Sequence, residues 1–199
     1  MMIKVCGITN LDDARAAVEN GATALGFNFF PASPRFVTVE DAGRVIASLP
    51  DTVWKVGVFV NMAPEQVAEA ARTLGLDVAQ LHGDETAAQF PRGIRVWKAV
   101  RVDGEFRPDA LAAYPAEAIL LDSGAGGGSG QTFDWSRAAE SRLKIVLAGG
   151  LEADNVARAI EQARPWGVDA CSRIEASPGK KDHTKMAAFL KAALQASQS

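Results

Sequence analysis

Absences narrow this sequence first. Its 199 residues hold only two cysteines, Cys6 and Cys171, too few for the disulfide framework that staples small secreted domains. The start Met1-Met2-Ile3-Lys4 lacks the apolar run of a signal peptide. No segment reaches the roughly 18 consecutive apolar residues that a membrane span needs, so a reducing cytoplasm is the expected compartment. Charge of one sign is missing too: 21 Lys+Arg stand against 24 Asp+Glu, a formal net charge of −3, and no global field draws in nucleic acid or an acidic membrane surface. An anionic small molecule would have to be held by local groups. No Pro-, Ser- or charge-rich linker divides the chain, which reads as one domain over residues 1–195 followed by a polar tail at 196–199. Monomer and homodimer are both compatible with it.

What is present is a repeated grammar. Short β-branched or apolar runs alternate with stretches of helical period, the pattern of βα units around a parallel sheet. Strands are expected at 3–6, 24–29, 54–60, 78–81, 96–100, 118–121, 145–148 and 168–171, each followed by a helix. In the first unit Asn10 suits an N-cap, Asp12 and Asp13 suit the positive first turn, and Asn20-Gly21 ends the helix. Pro64 and Gly75 bracket the third helix in the same way. Eight such units predict an α/β fold, a single-domain (β/α)8 TIM barrel. Such barrels typically run to about 250 residues, so the loops must be short. An open sheet of six or seven strands is the alternative.

In a barrel, chemistry sits at the C-terminal ends of the strands. That filter returns Cys6, Asn28 with the loop carrying Arg35, Gln80 with His82, Asp122, Gly149-Gly150, and Ser172-Arg173. Four apolar residues precede Asp122, which suggests a partly desolvated carboxyl with its pKa biased upward, fit for a general acid, or else a cap for the loop that follows. Cys6 is a base if ionised and a small buried hydrophobe otherwise; Cys171 reads as the latter. Gly149-Gly150 and Ser172 can offer backbone N–H groups to a phosphate, and the planar fork of Arg35 can hold a carboxylate. Asn28, Gln80 and His82 line the pocket. His82 has no companion at metal-ligand spacing, so neither metal nor cofactor is expected. The glycine-rich patch at 124–130 reads as a lid or a surface loop, and it lacks the Gly-Lys-Ser/Thr of a P-loop.

Taken together, Lys4-Val5-Cys6-Gly7-Ile8-Thr9-Asn10, Gln80-Leu81-His82-Gly83, Leu121-Asp122, Gly128-Ser129-Gly130-Gln131-Thr132-Phe133-Asp134-Trp135 and Gly149-Gly150-Leu151 resemble the phosphoribosylanthranilate isomerase family, in order and over the whole chain. The resemblance implies an Amadori rearrangement in tryptophan biosynthesis, with Asp122 as general acid and Cys6 as general base. It further implies that Arg35 holds the anthranilate carboxylate and that Gly149, Gly150, Ser172 and Arg173 hold the phosphate. One departure stands out. The family usually reads Ser-Gly-Val-Glu after strand eight, whereas this chain has Ser172-Arg173-Ile174-Glu175. Arg173 is strained if that position needs positive φ; otherwise it adds a cation beside the phosphate. Two rivals are a histidine-pathway isomerase, which would carry an aspartate where Cys6 stands, and a barrel that binds a phosphorylated metabolite without turning it over.

Overall fold

The computed structural model describes residues 1–102, 111, 114–122, 135–139, 141 and 143–198. Eight parallel strands, β1 (Met2–Cys6), β2 (Ala24–Asn28), β3 (Trp54–Phe59), β4 (Val78–Leu81), β5 (Arg95–Arg101), β6 (Ala118–Asp122), β7 (Lys144–Ala148) and β8 (Gly167–Ala170), close into a barrel in sequence order, with β8 pairing back onto β1. Each strand therefore has two partners, and no edge is left. The open-sheet alternative is excluded.

Side-chain alternation along the strands divides the core in two. Met2, Ala24, Val56, Val78, Trp97, Leu120 and Val146 fill the barrel interior. Ile3, Val5, Leu25, Phe59, Leu81, Ile119 and Leu147 face outward, under the helices. The floor of the barrel is aromatic: Trp97 lies with its ring centroid 5.9 Å from Trp54 and 5.6 Å from Trp166, and Arg95 and Lys144 cover the outer two rings at 4.4 and 5.1 Å.

Helix α1 (Leu11–Glu19) starts where Asn10 accepts the Asp13 N–H at 2.8 Å, and α2 (Val39–Ile46) is capped by Thr38. Pro64 opens α3 (Pro64–Leu74), and Gly75 closes it in the left-handed conformation at φ 62°. Helices α4 (Ser136–Ala139), α5 (Val156–Ala163) and α6 (His183–Ala196) complete the described set. The last runs one residue into the tail assigned to 196–199. Before α6 the chain makes a hairpin of β9 (Glu175–Ser177) and β10 (Lys180–Lys181).

The expectation of a helix after every strand fails after β4, where only a 3-10 turn forms, Ala87–Gln89. A buried ion pair does the bracing there. Lys98 Nζ lies 2.8 Å from Glu85 Oε2 and donates to Gly83 O at 2.6 Å, while Glu85 accepts the Asn61 and Gly83 N–H groups. The connection after β5 and the glycine-rich patch at 124–130 lie outside the described residues.

Candidate active site

At the C-terminal rim one cavity of about 420 Å³ gathers every residue that the strand-end filter returned: Cys6, Asn28, Arg35, Gln80, His82, Asp122, Gly149, Gly150, Ser172 and Arg173. Arg101, Asp169 and Cys171 join them. Alternation explains these additions, since Trp97, Ala99 and Arg101 on β5, and Gly167, Asp169 and the residue after β8, all point inward. Arg35, Arg101 and Arg173 line the cavity alongside Asp122 and Asp169, so local cations are in place for an anion in a chain of net charge −3.

Cys6 stands at the top of β1. A Cβ placed on Gly26 of the neighbouring strand would lie 2.8 Å from its sulfur and 3.1 Å from Lys4 Nζ, so the bare glycine makes the room that both side chains occupy. Lys4 is fully buried, with Nζ 3.0 Å from Asp169 Oδ1. Its ammonium is held above its ordinary pKa: burial opposes the charge, but Asp169 and Cys6 outweigh it. Asp169 is pushed up to about 7 by burial, against the pull of Lys4 and with help from the negative charge of Cys6. One cation thus serves two acids.

Cys171 is a half-buried thiol beside the site. It follows β8, whose Ala170 pairs with Val5, and it lines the cavity together with Cys6. The neighbouring Cys171 thiol holds the Cys6 thiol well below its ordinary pKa; burial opposes this, and Lys4 and Lys181 assist. The neighbouring Cys6, together with burial, pushes the Cys171 thiol well up. The Cys171 S–H donates to Glu175 Oε1 at 3.9 Å. Both cysteines are free thiols.

Asp122, at the end of β6, faces His82, whose Nε2 is 3.5 Å from Oδ2. Gln80 Nε2 lies 3.2 Å from His82 Nδ1, on the side of the ring away from Asp122. The Asp122 side chain is 35% exposed, so the carboxyl stands at the mouth of the cavity, partly covered by its neighbours. Gln80 Oε1 is buried without a hydrogen-bond partner among the described residues.

Asn28 lines the cavity and also shapes the loop above it, accepting the Phe30 N–H at 2.9 Å and donating to Ser33 Oγ at 3.2 Å. Ser33 in turn accepts the Arg35 N–H. The Arg35 fork is engaged: Nε lies 2.9 Å from Glu175 Oε1 and Nη2 lies 2.7 Å from Oε2. Glu175 also takes Lys181 Nζ at 2.9 Å.

Gly149 and Gly150 have φ of 82° and 71°, a conformation that glycine adopts freely. Asn155 ties this turn to the start of α5 by donating to Gly150 O and accepting the Glu152 N–H. Arg173 lies in the 3-10 turn Ser172–Ile174. Among the described residues the non-glycine positions with positive φ are Asn61 and Arg164, so the alternative in which Arg173 is strained does not apply. Its half-buried side chain lines the cavity and has no ion-pair partner among the described residues. Among those residues, no cluster of three His, Cys, Asp or Glu is placed to hold a metal ion.

A family profile described as "N-(5'phosphoribosyl)anthranilate (PRA) isomerase" matches residues 3–192. The chain is 56% identical over 196 residues to the N-(5'-phosphoribosyl)anthranilate isomerase of Solibacter usitatus (strain Ellin6076), covering 97% of each sequence. Among solved structures, phosphoribosyl anthranilate isomerase from Thermotoga maritima superposes with a TM-score of 0.88 at 44% identity, covering 98% of this chain and 99% of that one. A phosphoribosyl anthranilate isomerase in complex with reduced 1-(o-carboxyphenylamino)-1-deoxyribulose 5-phosphate matches with a TM-score of 0.84 at 42% identity, with the same coverage.

Proposed function

The chain belongs to the N-(5'-phosphoribosyl)anthranilate isomerase family and is an isomerase of tryptophan biosynthesis; from that premise we propose that Cys6 and Asp122 divide its proton transfers. Asp122 gives a proton to the ribose ring oxygen, opening the furanose of N-(5'-phosphoribosyl)anthranilate to a protonated Schiff base. Cys6 then takes the proton from C2′. The C2′–H electron pair neutralises the iminium and leaves an enolamine, which tautomerises to 1-(2-carboxyphenylamino)-1-deoxyribulose 5-phosphate.

One observation carries this reading: Cys6 and Asp122 end strands β1 and β6, separated by β7 and β8, and line the same cavity from different walls. A single sugar between them meets an acid on one side and a base on the other. The Gly149-Gly150 turn and the Ser172-Arg173 turn take the phosphate, the second with a guanidinium that can make charge-assisted hydrogen bonds. Arg35 takes the anthranilate carboxylate through Nη1, the edge of its fork that Glu175 does not occupy. Gln80 Oε1 is an acceptor for a substrate hydroxyl.

The test is turnover of N-(5'-phosphoribosyl)anthranilate, generated in situ because it is labile, followed by loss of its fluorescence. Turnover is expected from the purified chain and is expected to collapse when either Cys6 or Asp122 is replaced. Binding without turnover would instead favour a non-catalytic barrel.

A further inference from the structure

Strands β1 and β8 run in register from Met2 beside Gly167 to Val5 beside Ala170, and every second rung of that ladder points into the barrel. Lys4 and Asp169 form one inward rung, and their side chains meet there, Nζ 3.0 Å from Oδ1. The next inward rung is Cys6 with Cys171. Both side chains line the cavity, and the Cys171 sulfur lies against Gly7, the residue after Cys6: a Cβ placed on Gly7 would come within 3.0 Å of it. Neighbouring strands lie about 4.8 Å apart, inside the span of roughly 4.4 to 6.8 Å over which two Cα atoms accept a disulfide. Closing that bond asks for side-chain rotation rather than a shift of strands.

Both cysteines are free thiols, half-buried at the cavity wall. Cys171 is held by long contacts, its sulfur 3.9 Å from Glu175 Oε1 and 3.9 Å from Lys181 Nζ. Glu175 and Lys181 keep each other at 2.9 Å when the thiol turns away, so no buried charge is stranded. The geometry points to Cys6 and Cys171 as a modification site: a hydroperoxide entering the cavity oxidises them to a disulfide that shuts the site, and a dithiol reductant reopens it. One sulfur takes the terminal peroxide oxygen and becomes a sulfenic acid, while the rest of the peroxide leaves as an alcohol, or as water when it is hydrogen peroxide. The second sulfur then attacks the first, the S–O bond breaks, and the oxygen leaves as water with the second thiol's proton. The two thiols have lost two electrons and two protons, and the cleaved O–O bond has taken them. While the disulfide stands, Cys6 has no free sulfur for the C2′ proton. The loss of turnover therefore rests on the reading of Cys6 as the base, whereas the cross-link does not.

The chain holds no other cysteine, so the products can be read without ambiguity. Purified chain is treated with hydrogen peroxide, blocked with N-ethylmaleimide after unfolding and mapped by peptide mass. Turnover is measured before treatment, after it, and again after dithiothreitol. The parent is expected to lose both reactive thiols and to yield one linked pair of peptides within a single chain. Its turnover is expected to fall by about 10²-fold or more, the contribution of a positioned base, and to return with dithiothreitol. Cys171→Ser keeps the size of the side chain and removes the partner sulfur. Its Cys6 is expected to pass on to the sulfinic acid, which dithiothreitol does not reverse, so the turnover this variant loses, relative to its own untreated value, stays lost.

Two thiols still open to N-ethylmaleimide in the treated parent, a link between two chains rather than within one, or a loss that dithiothreitol repairs equally in Cys171→Ser overturns the proposal. So does a link within the chain that leaves turnover intact. Failure of the base assignment itself appears separately, as undiminished turnover in untreated Cys6→Ser.

Discussion

Arg35 and Glu175, 140 residues apart in sequence, form a two-pronged ion pair across the rim of the barrel, Nε and Nη2 each within 2.9 Å of a carboxylate oxygen. The Glu175 side chain is 3% exposed and that of Arg35 is 22% exposed, so the pair is anchored from below and open to the cavity above. Glu175 fixes the plane of the guanidinium before substrate arrives. Replacing Arg35 by alanine should therefore raise KM more than it lowers kcat, and Arg35→Lys should recover little, because a point charge cannot both grip Glu175 and present a second edge. Steady-state kinetics on both variants decides this; an unchanged KM in Arg35→Ala would remove the carboxylate role.

For the proton-transfer pair, Cys6→Ser and Asp122→Asn should each lower kcat by about 10²- to 10⁴-fold, the usual contribution of a positioned acid or base. Circular dichroism and the unfolding midpoint should stay close to those of the parent, since both side chains stand at the cavity rather than in the packed layers. Near-normal turnover in either variant would take that residue out of the mechanism.

Arg173 occupies an unstrained turn with its side chain toward the cavity. The Arg173→Gly variant should bind substrate and inorganic phosphate more weakly, and its affinity should depend less steeply on salt, because one cation is removed from beside the anion. Calorimetric titration with phosphate at several ionic strengths reads this directly. Equal affinity and an equal salt slope in parent and variant would make the arginine a bystander.

Stability should respond to pH in two opposite senses. Burial pushes Glu85 up, but Lys98 and the Asn61 N–H outweigh it and hold the carboxyl low; Arg35 and Lys181 do the same for Glu175. Both contribute stability that is present above the unfolded carboxyl value, about 4.3, and that is lost as pH falls through their folded values. Asp169 runs the other way. Its folded value of about 7 lies above an unfolded value of about 3.9, so its contribution is complete below that unfolded value and disappears as pH rises through 7. Urea unfolding across this range should show Glu85→Gln losing part of the acid sensitivity and Asp169→Asn losing the decline toward neutral pH. A decline in Asp169→Asn as steep as the parent's would contradict the assignment.

Much of this was legible in the sequence because strands buried on both faces read as short apolar runs. All eight expected runs became strands, within two residues at either end. The rim residues followed from the rule that barrel chemistry sits where strands stop. What stayed hidden depends on pairing between distant strands. Cys171 and Asp169 matter because β8 closes onto β1, and no local pattern announces which strands meet. The period of two along β1 does carry Lys4 and Cys6 to the same inward face, and along β5 it carries Arg101 there, so that signal was present. The missing fourth helix has the same origin: Glu85 and Lys98 brace that corner by a contact between a loop and the next strand, which helix propensity cannot register.

The three tryptophans packed together at the base of the barrel have a kinetic corollary. With Trp97 wholly enclosed and flanked by Trp54 and Trp166, the catalytic cup is blind at the bottom. Among the described residues, the way out for a product formed within it is the mouth by which the substrate arrived. Accumulated ketose phosphate then slows the enzyme by occupying that mouth, in direct competition with the next substrate.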